Sequence, residues 1–467
     1  MKIFNLNIKE SIFTCIAIGM IAIGCEKKLD LQPYQGLSDQ KALLTESDVS
    51  GTLVGAYDAV SSGSAYGGDM MVLNDLIGNK TNIRFTGTFA ALNDAYNTLM
   101  TANNSFAAST WSSAYNTINV SNNVLENLDK VTSSATRKSS VEGQALFLRG
   151  SMYFELLKLY AKAYNDGSPT TNLGVPLVLT ATKSPITSAD YKARATVKAV
   201  YDQVIADLVK AESLMPSTNS KFATKWAAAA QLSRVYLVME NYTAAAAAAD
   251  RVIAGSGKTL TPEYKNNWFT YINFGGVTPN EYIFYIKVSN QDGTNSLNTY
   301  YGRTISGITG SAGRSDMKIQ AAHLTNYEST DLRRAFFVIS GGNRYTQKHL
   351  DRFGDVPVIR LAEMYLTRAE ANFRQNTAVG ATPLADVNLI RKRAGLADLT
   401  TVTLDAIINE RVTELSLEGN NLFDSKRLKK SLGTSTVPIA WNAPSLILPI
   451  PQREMDVNKE LKQNEGY

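Results

Sequence analysis

Residues 221–254 carry the pattern that most constrains this chain. Lys221 to Met239 reads as one helix, Glu240-Asn241-Tyr242 as a turn, and Thr243 to Ala254 as a second helix rich in alanine. Leu232, Ser233, Tyr236, Tyr242, Ala245 and Ala249 recur at helical spacing across the turn. Side chains as small as these let two antiparallel helices approach closely, and such a pair buries its faces by stacking on further pairs.

That spacing is the one a tetratricopeptide unit uses, in a degenerate form, since Ala229 stands where the repeat usually has Trp. Apolar residues at three- and four-residue steps mark further helices. Ser139 to Tyr164 carries Val141, Ala145, Leu148, Met152, Leu156 and Leu159 on one face, and Thr196 to Leu214 completes a first pair. Val358 to Phe373 with Pro383 to Ala394 forms another, and Thr403 to Gly419 begins one more. Nearer the start, Val49, Leu53, Tyr57 and Val60 form one stripe, and Trp111, Tyr115, Ile118, Leu125 and Leu128 a second. Between them, residues 61–109 read as short helices separated by long loops. A Gly/Asn/Thr-rich insertion spans 255–355, and within it the run Tyr282-Ile283-Phe284-Tyr285-Ile286 reads as a short strand. The expected fold is mostly α: tetratricopeptide-like helix pairs forming a scaffold, with an irregular, loop-rich ligand-facing region and minor β.

Of the 467 residues, 19% are charged, with a formal net charge of +5. That balance is too mild for a nucleic-acid-binding stripe. Two His (His323, His349) and two Cys (Cys15, Cys25) are too few for zinc fingers, iron–sulfur centres or a disulfide scaffold. Both cysteines lie in a leader. Lys2 and Lys9 make its basic start, and Ile12 to Gly24 is an apolar run spanning about 20 Å as a helix, short of the roughly 30 Å hydrocarbon layer. The segment therefore reads as a cleaved export signal. Its end, Ile21-Ala22-Ile23-Gly24-Cys25, resembles a bacterial lipobox with Cys25 as the lipid-bearing residue. The expected organisation is a signal peptide, 1–24, and a single domain, 25–467. That domain divides into N-terminal helices and loops (25–138), first helix-pair repeats (139–254), the insertion (255–355), and C-terminal repeats with a tail (356–467).

Chemistry-bearing motifs are few. Gly255-Ser256-Gly257-Lys258-Thr259 looks like the end of a phosphate-binding loop, but Val252 stands where the first Gly belongs and a helix precedes it. Gly255 as a helix stop explains it better. Glu410, Glu414 and Glu418 recur at four-residue steps on one helical face, and ion pairing with Arg391, Arg393 and Arg427 is expected there in preference to a metal site. No nucleophile elbow, zincin motif or core Cys indicates hydrolysis. Sugar rings stack on aromatic faces, while Asn and Arg bond directionally to hydroxyls. Two irregular stretches mix those types: Asn82-Ile83-Arg84-Phe85 through Phe89, and Asn298-Thr299-Tyr300-Tyr301-Gly302-Arg303. The candidate binding residues are Asn82, Arg84, Phe85, Tyr300, Tyr301 and Arg303. As loop positions they are expected to carry little of the core. Trp111 and Trp268 are expected to be core anchors. No cofactor or metal is expected.

Several ordered blocks then become specific. Leu29-Asp30-x-x-Pro33 and Gly55-Ala56-Tyr57 are followed by Ala145-Leu146-Phe147-Leu148-Arg149-Gly150 and Gly174-Val175-Pro176-Leu177. Pro357-Val358-Ile359-Arg360-Leu361-Ala362-Glu363-Met364-Tyr365-Leu366 is the strongest. Ile390-Arg391-Lys392-Arg393-Ala394-Gly395-Leu396, Leu448-Pro449-Ile450-Pro451 and Gln463-Asn464-Glu465-Gly466-Tyr467 complete the set. On these blocks the chain resembles the SusD/RagB family of outer-membrane nutrient-binding lipoproteins. Departures are local: Glu465 stands where the family commonly has Pro, and no ligand motif transfers onto 62–110 or 265–310. The resemblance implies a helical scaffold, lipid-anchored on the outer membrane and lying as a lid over a SusC-like, TonB-dependent barrel transporter. It implies capture of oligosaccharide without cleavage. Capture of oligopeptides, a structural repeat adaptor and a lipid-anchored hydrolase are the alternatives. Rings beside Asn or Arg favour glycan, whereas an apolar groove with an exposed strand edge favours peptide.

Overall fold

Helix starts are written into the sequence as capping residues. Thr45 caps Glu46–Ser61 (α1), its hydroxyl accepting from the Asp48 amide while the Asp48 carboxylate accepts from the Thr45 amide. Asn104, Ser134, Thr196, Asn241, Thr382 and Thr403 cap later helices in the same way. In this computed structural model residues 43–467 are described, apart from 184, 185, 293, 294, 307, 309, 434 and 435. The leader, Cys25 and Leu29 to Pro33 lie outside the described residues.

After α1 come Asp69–Gly78 (α2), Ala90–Asn97 (α3), Ser105–Glu126 (α4), Ala135–Tyr160 (α5), Val197–Leu214 (α6), Lys225–Val238 (α7) and Tyr242–Gly255 (α8). The insertion holds three short helices, Thr270–Phe274 (α9), Ser296–Tyr301 (α10) and Ala321–Leu324 (α11). Leu361–Gln375 (α12), Pro383–Arg393 (α13), Leu404–Glu414 (α14), Asn421–Arg427 (α15) and Gln452–Val457 (α16) follow. The long helices pack in succession: α1 on α4, α4 on α5, α5 on α6, α6 on α7, α7 on α8, α8 on α12, and α12 on α13 and α14. Ala245, Ala246, Ala248 and Ala249 of α8 are wholly buried, which makes the alanine stripe the closely packed side. Gly255 is the last residue of that helix, where a Cβ would lie 2.3 Å from the Trp226 ring, and the left-handed turn beyond it is made by Gly257 at φ +66°. Trp111 and Trp268 are both core residues. No helix among the described residues is long and apolar enough to cross a membrane.

Ten short strands make only two-stranded antiparallel sheets among the described residues. Ile83–Phe85 (β1) pairs with Met317–Ile319 (β5), and Leu173–Pro176 (β2) with Arg194–Thr196 (β3). Tyr282–Ile286 (β4), the strand expected from its sequence, pairs with Val356–Arg360 (β8). Phe337–Ser340 (β6) pairs with Asn343–Thr346 (β7), and Leu432–Gly433 (β9) with Pro438–Ile439 (β10). The insertion therefore holds more β structure than the single strand expected. β8 corrects a second reading, because Val358 was expected to begin a helix. A short apolar run fits either period, and here β4 supplies a partner that keeps it extended as far as Arg360. The β4–β8 pairing makes a stem. The Leu361 amide donates to the Glu281 carbonyl at 3.0 Å, and Asp355 accepts from the Val288 amide at 3.2 Å and from Lys287 at 3.1 Å.

The glutamates at 410, 414 and 418 form ion pairs, but not on one helical face, since α14 ends at Glu414 and Leu417 has φ +61°. Arg393 meets Glu414 at 2.5 Å and Arg391 approaches Glu410 to 3.8 Å. Arg427 turns instead to Glu370 and Asp424, each at 2.7 Å. The larger partners come from the insertion and its stem. Arg333 reaches Glu410 and Glu414, Arg360 reaches Glu281, Glu414 and Glu418, and Lys348 reaches Glu418. Burial alone would raise the Glu414 carboxyl, but Arg393, Arg360 and Arg333 hold it well below the usual carboxylate range.

Candidate functional site

The two aromatic stretches singled out in the sequence, more than 200 residues apart in the chain, meet at one place. Phe89 is the residue before α3, and Phe106 lies in the first turn of α4. Asn104 ties these helix starts together: its side-chain oxygen accepts from the Phe106 and Ala107 amides at 3.1 Å, and its amide donates to the Ala91 carbonyl at 2.9 Å. Tyr300 arrives on α10, whose start Asn295 caps by accepting from the Asn298 amide at 2.7 Å. Asn298 then anchors the helix by donating to the carbonyls of His349 and Leu350. The three rings pack edge to face, with centroids 6.0 Å apart for Phe89–Tyr300 and for Phe89–Phe106, and 6.2 Å for Phe106–Tyr300. Phe89 is 40% exposed, Phe106 is half-buried and Tyr300 is only 6% exposed, so Phe89 forms the open edge of a ledge whose inner side belongs to the core.

A polar rim borders it. The Arg314 guanidinium lies 4.7 Å from the centre of the Phe89 ring, pairs with Asp316 at 2.9 Å and donates to the Thr88 hydroxyl at 2.8 Å. The backbone builds this edge by close approach. The Arg314 amide donates to Thr299 and the Asp316 amide to Tyr300, while Gly313, at φ +131°, packs on Gly302 where a Cβ would lie 2.1 Å from the carbonyl carbon. Burial, with Asp69 and Asp316 nearby, pushes the Tyr300 phenol up, so its hydroxyl stays protonated and able to donate. Burial likewise pushes Asp69 up to about 7, against the hydroxyls of Ser296 and Ser64.

The other sequence candidates divide. Arg84 is exposed on β1, and Arg303 is half-buried with its guanidinium 5.4 Å from the Tyr345 ring centre. The Asn82 side chain donates to Asn79 at 3.0 Å within the turn before β1. Phe85, Tyr300 and Tyr301 are core residues, contrary to the expectation that they carry little of it, and Tyr300, at 6% exposed, lines the inner side of the ledge. Phe85 is 5% exposed, and Tyr301 is wholly buried with its hydroxyl donating to Asp75 at 2.8 Å. Alternation on β1 turns Phe85 inward, and on α10 Tyr300 packs against Phe89 while Tyr301, about 100° further round the helix, reaches Asp75. Sequence reasoning missed Phe106, Arg314 and Asp316. Phe106 reads as one more apolar position of a helix, and no local pattern marks the other two. A second concavity of about 310 Å³ lies between α1 and β4, lined by Tyr57, Phe222, Tyr285 and Lys287 among others.

Comparison with known proteins gives concordant results. A family model described as "Starch-binding associating with outer membrane" matches residues 27–237. SusD-like protein P2 of Formosa agariphila is 24% identical over 98% of this chain and all of that protein. The starch-binding protein SusD of Bacteroides thetaiotaomicron is 38% identical over a shorter stretch, 24% of this chain and 22% of that one. Among solved structures, a Bacteroides vulgatus protein is 27% identical and superposes with a TM-score of 0.79 over 91% of this chain and 99% of its own. The surface glycan-binding protein A of Bacteroides uniformis shares the fold at 21% identity, with a TM-score of 0.74 over 90% of this chain and 99% of that one.

Proposed function

The chain belongs to the SusD/RagB family, and from that premise we propose that it captures oligosaccharide at the Phe89–Phe106–Tyr300 ledge and passes it uncut to a TonB-dependent outer-membrane transporter. Lipid on Cys25 would hold it at the outer-membrane surface. The observation that carries this reading is the ledge itself: the exposed Phe89 ring, backed by Phe106 and the buried Tyr300, with the exposed Arg314 guanidinium beside it and Asp316 holding that guanidinium from below. A sugar C–H face covers the exposed Phe89 ring, and Arg314, held in place by Asp316, fixes orientation. The ring supplies most of the affinity, because sugar hydroxyls exchange water for protein partners at little net gain. A ring beside Arg, here Phe89 with Arg314, is also the combination that favours glycan over an extended peptide.

Titration calorimetry with oligosaccharide, beside product analysis of the incubated sugar, tests both halves. The expected affinity is micromolar, about 8 kcal/mol. Phe89→Ala should weaken it tenfold or more, about 1.4 kcal/mol, with the melting temperature nearly unchanged. Wild-type affinity in that variant would move the site elsewhere. Release of reducing ends would make the protein a hydrolase.

A further inference from the structure

The β1–β5 ribbon continues the ledge, and its outer face carries cations without counterions. Ile83, Phe85, Met317 and Ile319 point into the core. Arg84 and Lys318 point the other way and stand directly opposite each other in the register. Like charges so placed on an antiparallel pair repel. A second opposition lies next along the same edge, where Arg303 faces Arg314 across an isolated antiparallel bridge. Arg314 has Asp316, but Arg84, Lys318 and Arg303 make no ion pair among the described residues. Lys80 adds a further positive charge. It is half-buried, donates to the Tyr96 carbonyl and lies 5.7 Å from the centre of the Tyr96 ring, on whose phenol Arg84 also acts. Two like-charge oppositions, one on the ribbon and one at the isolated bridge beside it, thus border the same aromatic ledge.

We infer that this edge selects acidic oligosaccharides. The sugar rings stack on Phe89, and carboxylate or sulfate groups settle on the Arg84/Lys318 and Arg303/Arg314 pairs, relieving the repulsion between the opposed cations. The inference rests on the glycan-capture reading above and adds the charge of the ligand. Planar guanidinium forks suit both carboxylate and sulfate oxygens, so the shared chemistry is the anion.

The test is calorimetric titration of the full chain with three oligosaccharides of matched length: a neutral maltooligosaccharide, an oligogalacturonate and a sulfated galactan. At least one acidic probe should bind about tenfold tighter than the neutral one, and the advantage should shrink as salt is raised. Acidifying below the carboxylate range separates the sources, because the uronate advantage then disappears while a sulfate advantage persists. Lys318→Glu sets an opposite charge across from Arg84. It should raise the melting temperature, weaken the acidic probe about tenfold and leave the neutral probe unchanged. A residue with a merely structural role would not move these readouts in opposite directions. Equal wild-type affinity for neutral and acidic probes, with Phe89→Ala weakening both, overturns the charge selection and leaves glycan capture standing. Failure of the wild type to bind any of the three overturns both.

Discussion

Around Glu414, three guanidinium groups converge on a carboxylate that has no contact with water, whereas along the β1–β5 ribbon Arg84 faces Lys318 with no carboxylate between them. Both regions are rich in arginine, and the difference follows from where each sits. An unpaired ion in the interior costs several kcal/mol, so every buried cation near Glu281, Glu414 and Glu418 is matched. At the surface, water and salt reduce the same repulsion to tenths of a kcal/mol, and cations can be left without partners at small cost. The first arrangement locks the insertion to the C-terminal helices. The second leaves charge available to something outside the molecule.

That contrast can be broken most forcefully at Arg360, which meets Glu281, Glu414 and Glu418. Arg360→Ala should cost about 3–5 kcal/mol in urea unfolding, because three carboxylates lose a buried partner. A loss under about 1 kcal/mol would mean that the surrounding charges re-pair and the network is not a unit. Next in size is Tyr301→Ala, at about 3 kcal/mol or more, although the neighbouring ledge ring Phe89 can be removed with little effect on stability. Equal and small effects at both would place Tyr301 outside the core.

Asp75 sharpens the comparison as a buried carboxylate without a cation in hydrogen-bond contact. Burial pushes it up to about 7 from 3.8, against the Tyr301 hydroxyl and the Gly419 amide. The folded state therefore keeps a proton that the unfolded chain has released. Its contribution is fully present below the unfolded value and is lost as pH rises through about 7. Asp75→Asn should consequently gain on the wild type as pH is raised across that window. A difference between the two that stays constant with pH would show that Asp75 does not titrate there. Smallest of all, Lys318→Glu should stabilise the ribbon by about 0.2–1 kcal/mol.

The helical scaffold was legible because its signal is local. Val49, Leu53 and Val60, or the alanines of 245–249, repeat at the helical period, and the buried faces follow that period. β8 was not legible, because Val358 and Ile359 fit both periods until β4 is known to lie beside them. The charge pairing was legible in kind but not in partner: the spacing of Glu410 and Glu414 announced arginines without saying that Arg333 and Arg360 would supply them. The candidate site was half legible. Composition marked the two stretches, yet nothing in one-dimensional spacing reveals that Phe89 and Tyr300 touch, or that Tyr301 turns away from its neighbour.

The stem formed by β4 and β8, with Asp355 bound to Lys287 and Val288, has a consequence for how such a chain can diversify. Entry to and exit from the excursion 289–354 are clasped together, so what the helix stack asks of the residues between them is confined to a few buried ties, Arg333 and Lys348 to the glutamates of 410–418 and Tyr301 to Asp75. Lengthening a closed loop adds only about 0.6 kcal/mol for each doubling, little against the core that the clasp protects. Residues 83–89 are pinned to the same excursion through β1 and β5. The exchangeable part of the molecule is thus the outer portion of these two stretches, a cartridge that could be swapped for one of different taste while the buried ties and the chassis stay the same.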